Sequence, residues 1–259
     1  MTTQPAFSLA RRLRAGETVH SGWCGLPSPI VAELVGREGF PAVTLDGQHG
    51  LWDTASVLAA IAQVRLGGAA PIVRIPVGAF AIASRALDFG AEGIIAPMIN
   101  TPADARAYVS FTKFPPLGER SWGPHRATTL ANMADQKVYL REANALTVTF
   151  AMIETKTALD NVEAIAATPG IDGLFLGPAD LSIALSNGAD VDPMSLQVDR
   201  ELDRIMGAAH KAGKVMGAYC HSAERASALA KRGVRFLAVG SDMGFLRAGA
   251  AAAIKALKS

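Results

Sequence analysis

GLFLGPADLS, residues 173–182, joins a short apolar run to a glycine, a proline and an aspartate. The run GLFLG has the length and composition of a strand that is covered on both faces. Pro178 suits the first turn of a helix, and Asp180 is a residue type that is favoured where helices begin. The segment therefore predicts a strand that passes directly into a helix.

The same unit recurs along the whole chain. Short runs rich in Val, Ile and Leu alternate with longer amphipathic segments, which predict helices. The eight predicted strands are residues 21–26, 42–46, 71–75, 93–97, 147–153, 173–177, 215–220 and 236–240. Eight βα units in 259 residues predict an α/β fold in which residues 1–259 form one (β/α)8 TIM barrel, a single domain, and not an open sheet.

Charge and hydropathy exclude several classes of protein. Lys and Arg number 25 and Asp and Glu 23, so the net charge of +2 gives no basis for binding nucleic acid or an anionic membrane. We find no apolar run of about 18 residues, as a membrane-spanning helix needs, and no signal-peptide core. The two cysteines, Cys24 and Cys220, lack zinc-site spacing and fit a reducing compartment, so we expect a cytoplasmic protein.

One connection is longer than a βα repeat requires. Residues 114–129, FPPLGERSWGPHRATT, are irregular, and long irregular loops in compact domains are usually functional. Because this segment follows the fourth predicted strand, we expect it to lie over the catalytic mouth, where His125 could reach substrate. His20, His210 and His221 stand in predicted strands or helices and are interpreted as structural.

Ionisable residues collect where the predicted strands end, which is where TIM barrels place their chemistry. They are Asp46 and His49 after the second strand, Arg74 on the third, Glu154 after the fifth and Asp180 after the sixth. Glu154 and Asp180 provide two oxygen ligands suited to Mg²⁺ or Mn²⁺, with water and substrate completing the coordination. Asp180 could instead cap the following helix, and the two roles are compatible.

The remaining charges suggest roles in proton transfer and anion binding. His49 is the natural acid or base, and Asp46 is close enough in the chain to orient its ring. Arg74, with no acidic neighbour in its segment, suits an oxyanion or a carboxylate. Asp88 ends a predicted helix, where the helix dipole disfavours it, so it needs a partner, which could belong to another subunit.

These residues lie in motifs that resemble the HpcH/HpaI class II pyruvate aldolases of the phosphoenolpyruvate/pyruvate barrel superfamily. The resemblance covers nearly the whole chain. Its segments are GLPSPIVAELVGREGF (25–40), LDGQHG (45–50), PIVRIP (71–76), LDFGAEGIIAPM (87–98), FPPLGERSWG (114–123), IETKTALDN (153–161), GLFLGPADLS (173–182) and FLAVGSD (236–242).

The resemblance implies reversible aldol addition of pyruvate or hydroxypyruvate to an aldehyde, through an enolate held by a divalent metal and Arg74. Mg²⁺ or Mn²⁺ is the expected ion, with Co²⁺ as a further option. Glu154 and Asp180 would bind it, while His49, with Asp46, would handle protons. The segment Gly177–Asp180 would bind substrate, with the amides of Ala179 and Asp180 holding its carboxylate.

The resemblance also implies a homo-hexamer, a trimer of dimers, in which Asp88 acts near or across a subunit interface. The Ala-rich C-terminal segment, AGAAAAIKALKS, fits a helix that is exchanged between subunits.

The sequence departs from the family pattern beside the expected aldehyde site. Gln48 stands where relatives commonly have Glu, Met152 replaces a polar Gln, and Trp122, Pro124 and His125 replace smaller residues. Trp23 either forms a wall of the aldehyde pocket or belongs to the core.

Three alternative functions remain from the sequence: an acyl-CoA lyase of the citrate or malyl-CoA lyase type, a non-catalytic 2-keto-acid-binding barrel, and a metal-independent decarboxylase. The chain lacks the extra length and basic residues that CoA-dependent relatives usually carry, and it keeps both carboxylates, His49 and Arg74.

Overall fold

The computed structural model of the protein describes residues 7–258, in which eight strands form the sheet. The strands are Val19–Cys24 (β1), Ala42–Asp46 (β2), Ala70–Arg74 (β3), Gly93–Ala96 (β4), Val148–Ile153 (β5), Gly173–Leu176 (β6), Val215–Cys220 (β7) and Phe236–Val239 (β8). Each strand pairs in parallel with its neighbour in chain order, and β8 pairs with β1, which closes the barrel. The predicted TIM-barrel fold is confirmed.

Helices connect the strands as repeated βα units require. They are Leu9–Arg14 (α1), Pro29–Arg37 (α2), Thr54–Leu66 (α3), Phe80–Asp88 (α4), Pro102–Thr112 (α5), His125–Leu130 (α6), Gln136–Leu146 (α7), Lys156–Asp160 (α8), Val162–Ala166 (α9), Pro178–Leu185 (α10), Leu196–Lys211 (α11), Ala223–Arg232 (α12) and Asp242–Leu257 (α13). Ser28 caps α2 ahead of Pro29, as its sequence predicts, by accepting from the amide of Val31.

Strand β1 begins and ends two residues before the predicted range 21–26. Its first residue, Val19, pairs with Phe236 of β8, so closure of the barrel extends the strand backwards. At the other end, the amides of Gly25 and Leu26 donate to the buried carboxylate of Asp242 at 3.0 and 2.8 Å. That contact with the start of α13 takes these two residues out of the sheet.

Alternation along each strand turns every second side chain into the barrel. On β5, Phe150 and Met152 lie in the buried interior, and Glu154 is the next position of the same parity. On β3, Ile72 is interior and Arg74 follows it. By the same rule the inward positions at the carboxyl ends of the other strands include Trp23, Asp46, Gly177, Tyr219 and His221.

The N-terminal end of the barrel is closed by α1. Leu9 and Leu13 are buried in the interior cluster. Glu92, just before β4, accepts from the amides of Ser8 and Leu9 at 2.7 and 2.9 Å and pairs with Arg65 at 2.6 Å. The opposite end, where the strands finish, is therefore the end through which a ligand can enter.

The prediction that the long segment 114–129 lies over the mouth is wrong. Its Phe114 and Ala127 pack with Phe7 and Tyr139 in a separate cluster. Lys113, next to the segment, donates to the carbonyl of Thr147, just before β5. The reason is topological: α5 separates the segment from β4, so the chain has already returned to the N-terminal end of the barrel.

Helix α13 is attached mainly by its first turn. Asp242 is buried, and Phe245 stacks on Phe40 with ring centroids 5.8 Å apart. Beyond that turn the helix projects from the barrel, with Leu246, Ile254 and other apolar side chains exposed.

Candidate active site

A cavity of about 220 Å³ opens at the carboxyl ends of the strands. Its walls come from the ends of β1, β2, β3, β5, β6 and β7, including Trp23, His49, Arg74, Met152 and Asp180. This volume is below the roughly 300–1,000 Å³ of sites for drug-sized ligands, so the cavity suits a small metabolite. The cavity lies at the strand ends, where the sequence analysis expects the site.

Glu154 lies directly behind Gly177, a residue of the cavity wall, and is only 2 % exposed. Its Oε1 accepts the amide of Met98 at 2.8 Å, whereas its Oε2 accepts no hydrogen bond within residues 7–258. Burial raises the pKa of Glu154 to about 7, and the charge of Asp180 adds to this, while the Met98 amide and Arg74 oppose it. A buried carboxylate with one free oxygen is a group that a cation would stabilise.

Asp180 lies in the first turn of α10, and its side chain is exposed at the cavity. The residue at the helix N-cap is Gly177, and no side chain of residues 7–258 caps this helix, so the capping role considered for Asp180 is not observed. Asp180 forms no ion pair within the described part of the chain. Its carboxylate is therefore available to a ligand.

The two carboxylates fit a divalent ion that takes its other ligands from water and substrate. Within residues 7–258, no cluster of three His, Cys, Asp or Glu side chains could hold a metal. Mg²⁺ commonly uses one or two carboxylates and keeps several waters, so a pair such as Glu154 and Asp180 is sufficient.

Gly177 allows the close approach of β6 and Glu154. A Cβ at this position would overlap Oε2 of Glu154 and lie 2.8 Å from Cε of Met152. Its φ of −94° is ordinary, so space, and not backbone strain, requires the glycine.

The start of α10 presents two free backbone donors to the cavity. Pro178 has no N–H, and the amide of Leu181 donates to the carbonyl of Gly177. The amides of Ala179 and Asp180 therefore have no backbone acceptor in the described part of the chain, as expected in the first turn of a helix. Such a helix start binds an anionic group.

Arg74 and Asp46 form a bidentate ion pair on neighbouring strands. Nε donates to Oδ1 at 2.8 Å and Nη2 to Oδ2 at 2.6 Å. Burial alone would raise the pKa of Asp46, but the hydrogen bond and charge of Arg74 outweigh it and lower that pKa. The view of Arg74 as lacking an acidic neighbour is corrected: register places Asp46 directly beside it on β2.

Asp46 also fixes the backbone of the loop that follows β2 and carries His49. Its Oδ1 accepts the backbone amides of Gln48 and His49 at 3.1 and 3.2 Å, and its Oδ2 accepts the indole N–H of Trp23. The expected contact of Asp46 with the imidazole ring of His49 is replaced by these contacts with the backbone. The His49 ring lines the cavity with no hydrogen bond from the described residues.

Aromatic side chains form the wall on the β1, β6 and β7 side. Trp23 packs edge-on against Tyr219 at 5.4 Å and stacks with Phe175 at 6.3 Å, and the guanidinium of Arg74 lies 4.8 Å from its ring. Trp23 is buried in the core and also lines the cavity, so the structure is compatible with both interpretations considered from the sequence.

His221 was interpreted as structural, and the structure corrects this by placing it in the cavity wall. Inward parity along β7, through Gly217 and Tyr219, is the sequence signal that identifies it.

Three residues considered for the site lie elsewhere in this chain. Asp88 ends α4, at the N-terminal end of the barrel, and pairs with Arg120 of the long segment at 2.6 Å. Trp122 packs against Phe114 and Tyr139, and His125 begins α6. The partner that Asp88 requires is therefore present within its own chain.

Sequence comparison identifies the family. The profile of the HpcH/HpaI aldolase/citrate lyase family matches residues 22–248. The chain belongs to this family. It is 37 % identical over 235 residues to a hydroxypyruvate/pyruvate aldolase from Rhizorhabdus wittichii, covering 91 % of this chain and 92 % of that protein. It is 33 % identical over 237 residues to a 5-keto-4-deoxy-D-glucarate aldolase from Salmonella arizonae, covering 91 % of each.

Comparison with solved structures supports the same family and fold. An HpcH/HpaI aldolase/citrate lyase family protein from Burkholderia cenocepacia has a TM-score of 0.87 and 31 % identity, covering 98 % of this chain and 100 % of that one. A CitE protein from Mycobacterium tuberculosis, solved with magnesium and pyruvate, has a TM-score of 0.59 and 18 % identity, covering 90 % and 88 %, and shows the shared fold alone.

The predictions of the family and of a carbon–carbon lyase of the aldolase class are confirmed. Between residues 7 and 258, no helix has both the length and the apolar character needed to cross a membrane.

Proposed function

We propose that this protein is a class II aldolase that joins pyruvate or hydroxypyruvate reversibly to an aldehyde, with Glu154 and Asp180 binding a divalent metal. One observation carries the proposal: the Asp180 carboxylate, the Arg74 guanidinium, His49 and two free helix amides converge on one small cavity, and the Glu154 carboxylate lies directly behind its wall residue Gly177. The related aldolases supply the donor class, because one is a hydroxypyruvate/pyruvate aldolase.

The 2-keto acid is bound by groups from three strands. Its carboxylate accepts hydrogen bonds from the amides of Ala179 and Asp180, at the positive end of the α10 dipole. Its keto oxygen faces Arg74, whose guanidinium is fixed by Asp46. The aromatic wall of Trp23 and Phe175 limits access of water to the reacting carbon.

Proton abstraction from C3 is the chemical problem that this site must solve. When bound, Mg²⁺ or Mn²⁺, or Co²⁺, acidifies the C3 protons as a Lewis acid. His49 removes a proton from C3, and Arg74 stabilises the negative charge that develops on the keto oxygen. The resulting enolate attacks the aldehyde, whose oxygen takes the proton back from His49 as the new carbon–carbon bond forms; cleavage is the reverse.

The direct experiment incubates the protein with pyruvate or hydroxypyruvate, glycolaldehyde, and Mg²⁺ or Mn²⁺, and follows the 4-hydroxy-2-keto acid by NMR. We expect product with either ion and none after EDTA treatment. Product only from acyl-CoA substrates would support the lyase alternative. Keto-acid binding without product would support the non-catalytic alternative. Release of carbon dioxide that EDTA does not affect would support the metal-independent decarboxylase.

Replacing His49 separates proton transfer from metal binding. In His49→Ala we expect turnover to fall about 10²–10⁴-fold, because a positioned base contributes about that much. The metal-dependent rise in melting temperature should equal that of the wild-type protein, because His49 is not one of the two proposed metal ligands. A variant that loses this rise as well would place His49 among the metal ligands and contradict the assignment.

We further propose that the assembly is a homo-hexamer, a trimer of dimers, in which α13 packs against another copy of the chain. The support is the exposed apolar surface of α13, where Leu246 is 67 %, Ile254 52 % and Leu257 82 % exposed. Asp88 would then act across the interface, in the site of a neighbouring subunit, since it does not line the cavity of its own.

Mixing two inactive variants tests the role of Asp88 across the interface. His49→Ala and Asp88→Asn, unfolded and refolded together, should recover about one quarter of wild-type activity, because half of the pairs are mixed and each has one intact site of two. Differently tagged chains confirm mixing. Mixed assemblies with no recovered activity would contradict this role.

We also propose a cytoplasmic location, which the two buried free thiols Cys24 and Cys220 support.

A further inference from the structure

The β7 wall of the cavity carries a histidine that the proposed chemistry does not use. His221 follows β7 at the inward parity of Tyr219, and both line the cavity. Their rings are perpendicular, with centroids 5.0 Å apart. The imidazole nitrogens form no hydrogen bond within residues 7–258, so they are free to bind a ligand.

The position of His221 is opposite to the group that holds the keto oxygen. In the closed ring of eight strands, β7 is four strands from β3, which carries Arg74. In the proposed binding mode the keto acid is held by Arg74 on β3 and by the helix start that follows β6. The other polar group on the β7 wall is the hydroxyl of Tyr219, and it already donates to the carbonyl of Gly240 at 3.2 Å. His221 is the polar side chain that this wall offers to the second substrate.

We propose that His221 hydrogen-bonds a hydroxyl group of the acceptor and thereby selects short hydroxylated aldehydes. This rests on the proposed aldolase function and adds the class of its second substrate.

The properties of the wall favour a hydroxyl group over a carboxylate on the acceptor. Burial lowers the pKa of His221, which keeps the ring neutral near neutral pH. A neutral imidazole offers one donor and one acceptor, as a hydroxyl group does. An acidic aldehyde would need a cation, and Arg74, the lining residue that carries one, is already paired with Asp46. The small volume of the cavity favours a short chain.

The test compares two aldehydes that differ by one hydroxyl group, glycolaldehyde and acetaldehyde, with pyruvate as donor. In His221→Phe, which keeps a planar ring but removes both nitrogens, we expect kcat/KM for glycolaldehyde to fall about tenfold, mainly through KM. For acetaldehyde it should change less than about twofold. Exchange of pyruvate C3 protons in D₂O, which needs no aldehyde, should keep the wild-type rate.

Two further variants make the result specific. His221→Gln, which keeps a donor and an acceptor, should recover part of the preference for glycolaldehyde. His210→Phe, an equal substitution on the exposed end of α11, should behave as the wild-type protein.

Three results would overturn the role of His221: an equal loss with both aldehydes, no loss with either, or loss of C3 exchange. Absence of C3 exchange in the wild-type protein would overturn the aldolase function together with it, so the two failures are distinguishable.

Discussion

Glu154→Gln is expected to lower metal-dependent turnover by at least about a hundredfold. The amide can still accept the Met98 N–H through Oε1, so the fold around it is preserved. It lacks the negative charge that, with Asp180, attracts the cation. The measurement is kcat with saturating pyruvate and glycolaldehyde in Mg²⁺ or Mn²⁺, together with the rise in melting temperature that each ion causes. Both should vanish in the variant.

The same substitution should stabilise the metal-free protein at pH 8. The pKa of Glu154 is raised from 4.5 to about 7 in the folded chain, so folding binds a proton between these values and stability falls as pH rises through them. Ionised, the buried carboxylate costs about 3 kcal/mol. Urea unfolding in EDTA should show Glu154→Gln to be more stable than wild type by about this amount at pH 8. The two proteins should be nearly equal at pH 4.5 or below.

Glu163→Gln is the matched control, because Glu163 is an exposed carboxylate, 71 % accessible. It should change neither turnover nor stability. A Glu154→Gln protein that still gains stability from the metal would show that the ion binds elsewhere.

Gly177→Ala is the second change with a large expected effect. The added methyl group would overlap Oε2 of Glu154 and crowd Cε of Met152, so the carboxylate must move. A displacement of about 1 Å at a catalytic group can cost about a hundredfold in rate, and we expect at least that loss in kcat. Metal affinity, measured by titration calorimetry, should also fall, because the displaced oxygen is Oε2, the one that is not held by the Met98 amide and is available to the ion.

The control is Gly207→Ala in the middle of α11, where an added Cβ meets no atom within 4 Å. It should leave activity intact and stabilise the fold by about 0.5–1 kcal/mol, since alanine favours helix. Wild-type kcat and metal affinity in Gly177→Ala would contradict the placement of Glu154 behind this glycine.

The sequence predicts most of the barrel because local signals and the fold agree. All eight strands were predicted, with no end displaced by more than two residues, and β1 differs most because barrel closure and Asp242 set its limits. The candidate site residues Arg74, Glu154 and Asp180 could be singled out from the sequence because a charge at the end of a buried strand has few other uses.

What the sequence missed depends on geometry between elements. Asp46 and Arg74 are 28 residues apart, and only strand register brings them together. The long segment follows helix α5, which returns the chain to the N-terminal end of the barrel. Its position is therefore set by this helix and not by its short distance in sequence from β4. His221 follows from inward parity on β7, and which parity faces the barrel interior is set by packing against the neighbouring strands.

The most direct test of the central claim is the exchange of pyruvate C3 protons for deuterium in D₂O, followed by NMR. It requires only the keto acid, the metal and the groups that face them, Glu154, Asp180, Arg74 and His49. We predict exchange with Mg²⁺ or Mn²⁺, none in EDTA, and recovery when the ion is restored. No exchange with either ion, or undiminished exchange in EDTA, would contradict a metal-dependent aldolase site at Glu154 and Asp180.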